Sequence, residues 1–180
     1  MSVIDHKVWL YIGTYASVED EGVHVVEMNR DTGAMKLVSH VKGVENPSYL
    51  ALSPNGSYLY VASEKDEGEV LAYAVNTQTH ELHLLDRQST GGGAPCYVEL
   101  TPDGRHLLVA NYTGANVCVF PVNEDGTLAP MSGHAQHEGS GPNTERQDHA
   151  HTHSIVPSLD GSMVYVSDLG TDRITAYQLD

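Results

Sequence analysis

Thr101-Pro-Asp-Gly-Arg-His-Leu-Leu-Val-Ala-Asn111 decides the fold, because the chain contains it three times in variant form. Ser53-Pro-Asn-Gly-Ser-Tyr-Leu-Tyr-Val-Ala-Ser63 precedes it and Ser158-Leu-Asp-Gly-Ser-Met-Val-Tyr-Val-Ser-Asp168 follows it, so starts at 53, 101 and 158 lie 48 and 57 residues apart. Each copy opens with a turn, in which glycine tolerates φ > 0 and, in the first two, proline fixes φ. A run rich in Val, Leu and Tyr follows and reads as a strand. A fourth copy, reduced to its strand, is Val8-Trp-Leu-Tyr-Ile-Gly13.

Working outward, each copy leads through a polar loop to a second apolar run: Val23–Met28, Val70–Val75, Val117–Val122 and Ile174–Leu179. Turns such as Asn29-Arg-Asp-Thr-Gly33 and Asn123-Glu-Asp-Gly126 then lead to weaker strands beginning at Met35, Leu82 and Leu128. Segments 48–53, 96–101 and 155–158 supply a strand before each Asn/Asp-Gly turn. No segment sustains a helical period. Leu59-Tyr-Val-Ala62 and Leu107-Leu-Val-Ala110 are apolar on both faces, which calls for sheets stacked face to face. Four-stranded antiparallel sheets at a period of roughly 40–50 residues are β-propeller blades. A two-sheet sandwich is the rival. With strands A to D in each blade, the chain reads B-C-D, A-B-C-D, A-B-C-D, A-B-C. The expected fold is therefore all-β, about three and a half blades, in units near 1–46, 47–94, 95–150 and 151–180. Its open edges call for missing blades or a second chain.

Composition narrows the partners. Nine basic against 24 acidic residues give a formal charge of −15, a surface that repels nucleic acid and anionic membrane. No apolar run approaches the ~18 residues of a membrane helix. Met1–Lys7 shows no leader-like pattern, so a cytoplasmic location and free, buried Cys96 and Cys118 are expected.

Strand alternation puts the B–C and D–A connections on one face of the disc, and these are the longer, more polar ones. His137-Glu-Gly-Ser-Gly-Pro-Asn-Thr-Glu-Arg-Gln-Asp-His-Ala-His-Thr-His153 is the richest. In an extended chain His149, His151 and His153 project to one side. Three readings of them stand open: a hydrogen-bonded loop clasp, acid/base or substrate-binding chemistry beside Arg146, or a metal site. Gly91-Gly-Gly-Ala-Pro-Cys96 allows close backbone approach or lends N–H groups to an anion. Asn111 and Asp168 read as ties for the B–C loops, and Glu64 as a solvated carboxylate or, alternatively, a pocket carboxylate.

Together with Asn46-Pro-Ser-Tyr-Leu-Ala-Leu-Ser-Pro-Asn-Gly56, Val109-Ala-Asn-Tyr112, Arg146-Gln and Ser167-Asp-Leu-Gly170, these motifs resemble the lactonase family of seven-bladed propellers over nearly all 180 residues. That family includes a bacterial 6-phosphogluconolactonase and a fungal carboxy-muconate lactonising enzyme. The resemblance implies half a ring and a small-molecule lactone, a phosphorylated sugar or acid, opened without a metal or cofactor at the mouth of the channel. It also implies His151 as base, Arg146 for the substrate anion or oxyanion, and His149 beside them. Asn111 and the Gly91, Gly92 and Gly93 backbone are expected nearby as substrate-binding groups. Two rivals remain: a non-catalytic interaction platform, and a metal-dependent lactonase using His149, His151 and His153.

Overall fold

A computed structural model describes residues 6–179 and, among them, contains strands and no helix. The leader reading of Met1–Asp5 lies outside the described residues. The strands form four antiparallel sheets, of three, four, four and three strands. The first holds β1 (Lys7–Gly13), β2 (Val23–Asn29) and β3 (Met35–Val41). The second holds β4 (Leu50–Leu52), β5 (Tyr58–Ser63), β6 (Glu69–Val75) and β7 (Leu82–Ser89). The third holds β8 (Pro95–Leu100), β9 (His106–Asn111), β10 (Asn116–Pro121) and β11 (Gly133–Gln136). The last holds β12 (Thr152–Pro157), β13 (Met163–Asp168) and β14 (Arg173–Gln178). Each is a meander in chain order, the expected B-C-D, A-B-C-D, A-B-C-D, A-B-C pattern of propeller blades. Among the described residues, the outer edges of β1 and β14 pair with no strand.

The repeated turn explains why the same residues recur. Ser53, Thr101 and Ser158 donate their hydroxyls to Asn55, Asp103 and Asp160 at 2.7, 2.7 and 2.6 Å. The same oxygens accept the backbone N–H of Tyr58, His106 and Met163 at 2.9, 3.0 and 3.0 Å. Gly56, Gly104 and Gly161 close the three turns with φ of 71°, 70° and 73°, which a Cβ would strain.

Burial then follows the two-residue period of a strand. In β5, Leu59 and Val61 face the first sheet, packing with Val23 and Val44, while Tyr60 and Ala62 face the third. In β9, Leu107 and Val109 face the second sheet, while Leu108 and Ala110 meet Ile155, Val164 and Val166 of the fourth. The cores thus lie between the sheets, and β5 and β9 have no exposed face.

Two boundaries differ from the sequence reading. The strand expected at Leu128 begins at Gly133. Leu128 makes only an isolated bridge with Val122, because it is drawn into the core between the second and third sheets, and Pro130 lacks the N–H to continue the ladder. The strand expected at 155 begins at Thr152.

Candidate active site

The starts of the A strands are built alike. Asn46, Ala94 and His151 each accept, on the backbone carbonyl, the N–H of the residue just past the neighbouring B strand: Glu64 at 3.0 Å, Tyr112 at 2.8 Å and Leu169 at 2.9 Å. Asn46 and Ala94 reach this arrangement with φ of 43° and 51°, a costly conformation for a residue with a side chain. The next step is a bulge in two sheets. Pro95 pairs with Asn111 but Tyr97 with Ala110, so Cys96 is the extra residue; Thr152 pairs with Asp168 but Ser154 with Ser167, so His153 is. A bulge re-aims a side chain out of the ladder's alternation. Here both bulge residues, Cys96 and His153, reach one pocket.

The result is a pocket of about 340 Å³, lined by Tyr15, Ser48, Tyr49, Glu64, Cys96, Tyr112, Arg146 and His153. These residues come from successive sheets at matching places: just past strand B (Glu64, Tyr112) or at the start of strand A (Ser48, Cys96, His153). The pocket therefore lies on the face bearing the long loops. Arg146 is exposed, and its guanidinium makes no ion pair or hydrogen bond with any described residue. Tyr15 donates to Glu64 Oε2 at 3.0 Å, which pushes the phenol's pKa up. The Cys96 thiol is pushed up to about 12, by burial first and then by the Glu64 charge, so it is no thiolate nucleophile near neutral pH. Both cysteines are free, as expected, but only Cys118 is buried; Cys96 is half-buried because the bulge brings it to the pocket.

His151 lies one ring behind this pocket. It is 6% exposed, stacks on Tyr112 with ring centroids 4.5 Å apart, and is absent from the lining. Its Nδ1 lies 3.2 Å from the Tyr112 carbonyl oxygen, an acceptor that favours a proton on Nδ1. Its Nε2 faces Asp148 Oδ1 at 3.3 Å. His149 is exposed, with its ring against His151 and its Nδ1 3.1 Å from Asp148 Oδ2. The three histidines do not share one side, because residues 149–151 precede β12 and the bulge intervenes. His153 instead meets the edge of Tyr112 from the pocket side.

Asp168 anchors the arrangement. Its Oδ1 accepts the backbone N–H of His151, Gly170 and Thr171 at 2.8, 2.9 and 3.2 Å. Its Oδ2 accepts from His137 Nδ1 at 2.8 Å, while Tyr177 donates to His137 Nε2 at 2.9 Å. Burial disfavours the charge, yet the His151 N–H and the His137 ring hold this carboxyl below its ordinary pKa.

The remaining candidates support loops and do not line the pocket. Asn111 is fully buried and donates to the Thr90 carbonyl at 3.1 Å and to Asn116. A Cβ on Gly92 would meet Asn116 and Asn111 side-chain atoms at 2.5 and 2.9 Å, and one on Gly93 would meet Thr113 at 2.6 Å. Gly91 takes φ 67°. The sequence did not mark Tyr15, Ser48, Tyr49 and Tyr112 as lining residues, and left Glu64 open between a solvated and a pocket carboxylate. Superposing the repeats at the starts of the A strands and the ends of the B strands would have gathered most of them.

Comparison with known proteins agrees with this architecture. The family described as lactonase, 7-bladed β-propeller, matches residues 9–180. A Formosa agariphila 6-phosphogluconolactonase is 32% identical over 95% of this chain and 50% of its own length. A Bacillus subtilis 6-phosphogluconolactonase is 35% identical over 94% and 48%. Among solved structures, a periplasmic gluconolactonase of Pseudomonas aeruginosa superposes with a TM-score of 0.85 at 31% identity, covering 94% of this chain and 49% of that one. The chain thus spans about half the length of the relatives it matches.

Proposed function

Since the chain belongs to the lactonase family of seven-bladed β-propellers, we propose that its pocket is part of a lactone-hydrolase active site taking a phosphorylated sugar lactone. The observation that carries this reading is the convergence of an unpaired Arg146 guanidinium with His153 and Glu64 over one pocket. In a chain of charge −15, a free cation at such a mouth suits a substrate anion.

Lactones are activated esters, so little machinery is needed. Water attacks the carbonyl carbon while His153 takes its proton; the ring C–O bond then breaks, and the protonated imidazole returns the proton to the departing ring oxygen. The base is His153 and not His151, because only His153 lines the pocket. His151 supports it from behind, through Tyr112 and the start of β12. Tyr15 occupies Glu64 Oε2, which leaves Oε1 to accept a hydroxyl of the sugar. Further blades beside β1 and β14 would supply the opposite wall.

Arg146→Ala in the full-length protein tests the anion role. KM for a 6-phosphorylated lactone should rise about 10- to 100-fold, with kcat for the unphosphorylated lactone little changed. An unchanged KM for the phosphorylated substrate removes Arg146 from the reading.

A further inference from the structure

We propose that Asp148, His149 and His151 form a binding site for one divalent transition-metal ion, Zn²⁺ being the best fit. Among the described residues their ligand atoms are the group that converges, all within 4.8 Å of one another. Asp148 stands between the two rings, with Oδ2 3.1 Å from His149 Nδ1 and Oδ1 3.3 Å from His151 Nε2. Metal–ligand bonds of about 2.0–2.2 Å around a tetrahedral ion put neighbouring donors roughly 3–3.5 Å apart, so two of the three separations already suit one. This set replaces the His149, His151, His153 row, because His153 turns to the pocket.

The surroundings are those of a ligand set. With the His151 proton on Nδ1, facing the Tyr112 carbonyl, Nε2 is the nitrogen free to ligate an ion, on the side where Asp148 Oδ1 lies 3.3 Å away. Asp168 fixes the His151 backbone. Gly170 packs so closely that a Cβ there would lie 1.8 Å from the His149 carbonyl oxygen, which fixes that backbone too. The side chains of Asp148 and His149 are 61% and 49% exposed and that of His151 is 8% exposed, so the site is walled behind and leaves outer positions for water. Two imidazoles and one carboxylate favour a borderline ion over Ca²⁺ or Mg²⁺, which prefer all-oxygen sets. The Tyr112 ring separates this site from the pocket, so the ion gives nothing to the lactone. It would instead clasp the long loop, two residues past Arg146, to the start of β12. The inference stands apart from the lactone reading.

The test is calorimetric titration of the full-length protein with Zn²⁺ alone, with Co²⁺ absorption reporting nitrogen–oxygen coordination. One ion per chain is expected. Asp148→Asn and His149→Gln, at exposed positions, should each weaken binding at least ~100-fold, with circular dichroism unchanged. His153→Gln should bind as the parent does. No saturable binding, binding that survives both substitutions, or equal loss in His153→Gln overturns the site.

Discussion

Removing the Asp168 carboxylate isolates the anchor of the site. Asp168→Ala strips partners from three backbone N–H groups, those of His151, Gly170 and Thr171, and from the His137 ring. An orphaned buried donor costs about 1–3 kcal/mol, and loss of one member of a buried charged network costs about 3–5 kcal/mol in all once water refills part of the space. That is a large share of the 5–15 kcal/mol by which domains are typically stable. Asp168→Asn keeps an oxygen for the three N–H groups. Its amide N–H then faces His137 Nδ1, which can accept if the ring proton moves to Nε2 and donates to Tyr177. A cost near ~1 kcal/mol is expected for Asn. Urea midpoints followed by circular dichroism on the parent, Asp168→Ala and Asp168→Asn give the comparison. A loss below ~1 kcal/mol in Ala, or an Asn variant as unstable as Ala, would refute the anchoring role.

Two further predictions follow from geometry and charge. Gly170→Ala should fail to accumulate folded protein, because its Cβ would lie 1.8 Å from backbone oxygen, whereas Gly33→Ala has open space and only its φ of 69° to bear; equal yields of the two would contradict the packing described. Asp103, Asp125 and Asp160 are held below their ordinary pKa, chiefly by the hydroxyls of Thr101, Thr127 and Ser158, Asp160 down to about 2. A depressed carboxyl stabilises above its unfolded pKa, about 3.9, so Tm should fall as pH drops from about 4 toward 2. Asn55 already fills this place in one turn without titrating. Asp103→Asn with Asp160→Asn should therefore flatten the acid limb, and a limb left unchanged counts against these turns as its source.

The blades were legible because their signals are local. Three Asn/Asp-Gly turns and strands apolar on both faces are written in consecutive residues, and stacking of sheets follows from them. Leu128 misled because its apolar character reads as strand when it is core, with Pro130 breaking the ladder behind it. The site was legible only as a face and a loop. Arg146 stood out as an isolated cation, but Tyr15, Ser48, Glu64, Cys96 and Tyr112 are ordinary residues that meet only through rotation about the propeller axis. The expectation that His149, His151 and His153 share one side failed for a physical reason: the side-of-strand rule reverses at a bulge, and the bulge between Thr152 and Ser154 is not visible in the sequence.

Steady-state kinetics of His153→Ala in the full-length protein, with a 6-phosphorylated sugar lactone and His151→Ala as the companion, tests the central claim most directly. kcat should fall at least ~10²-fold in His153→Ala, with KM near the parent's and the circular dichroism unchanged. A parent that opens no lactone, or a His153→Ala variant that keeps the parent's kcat, would contradict it.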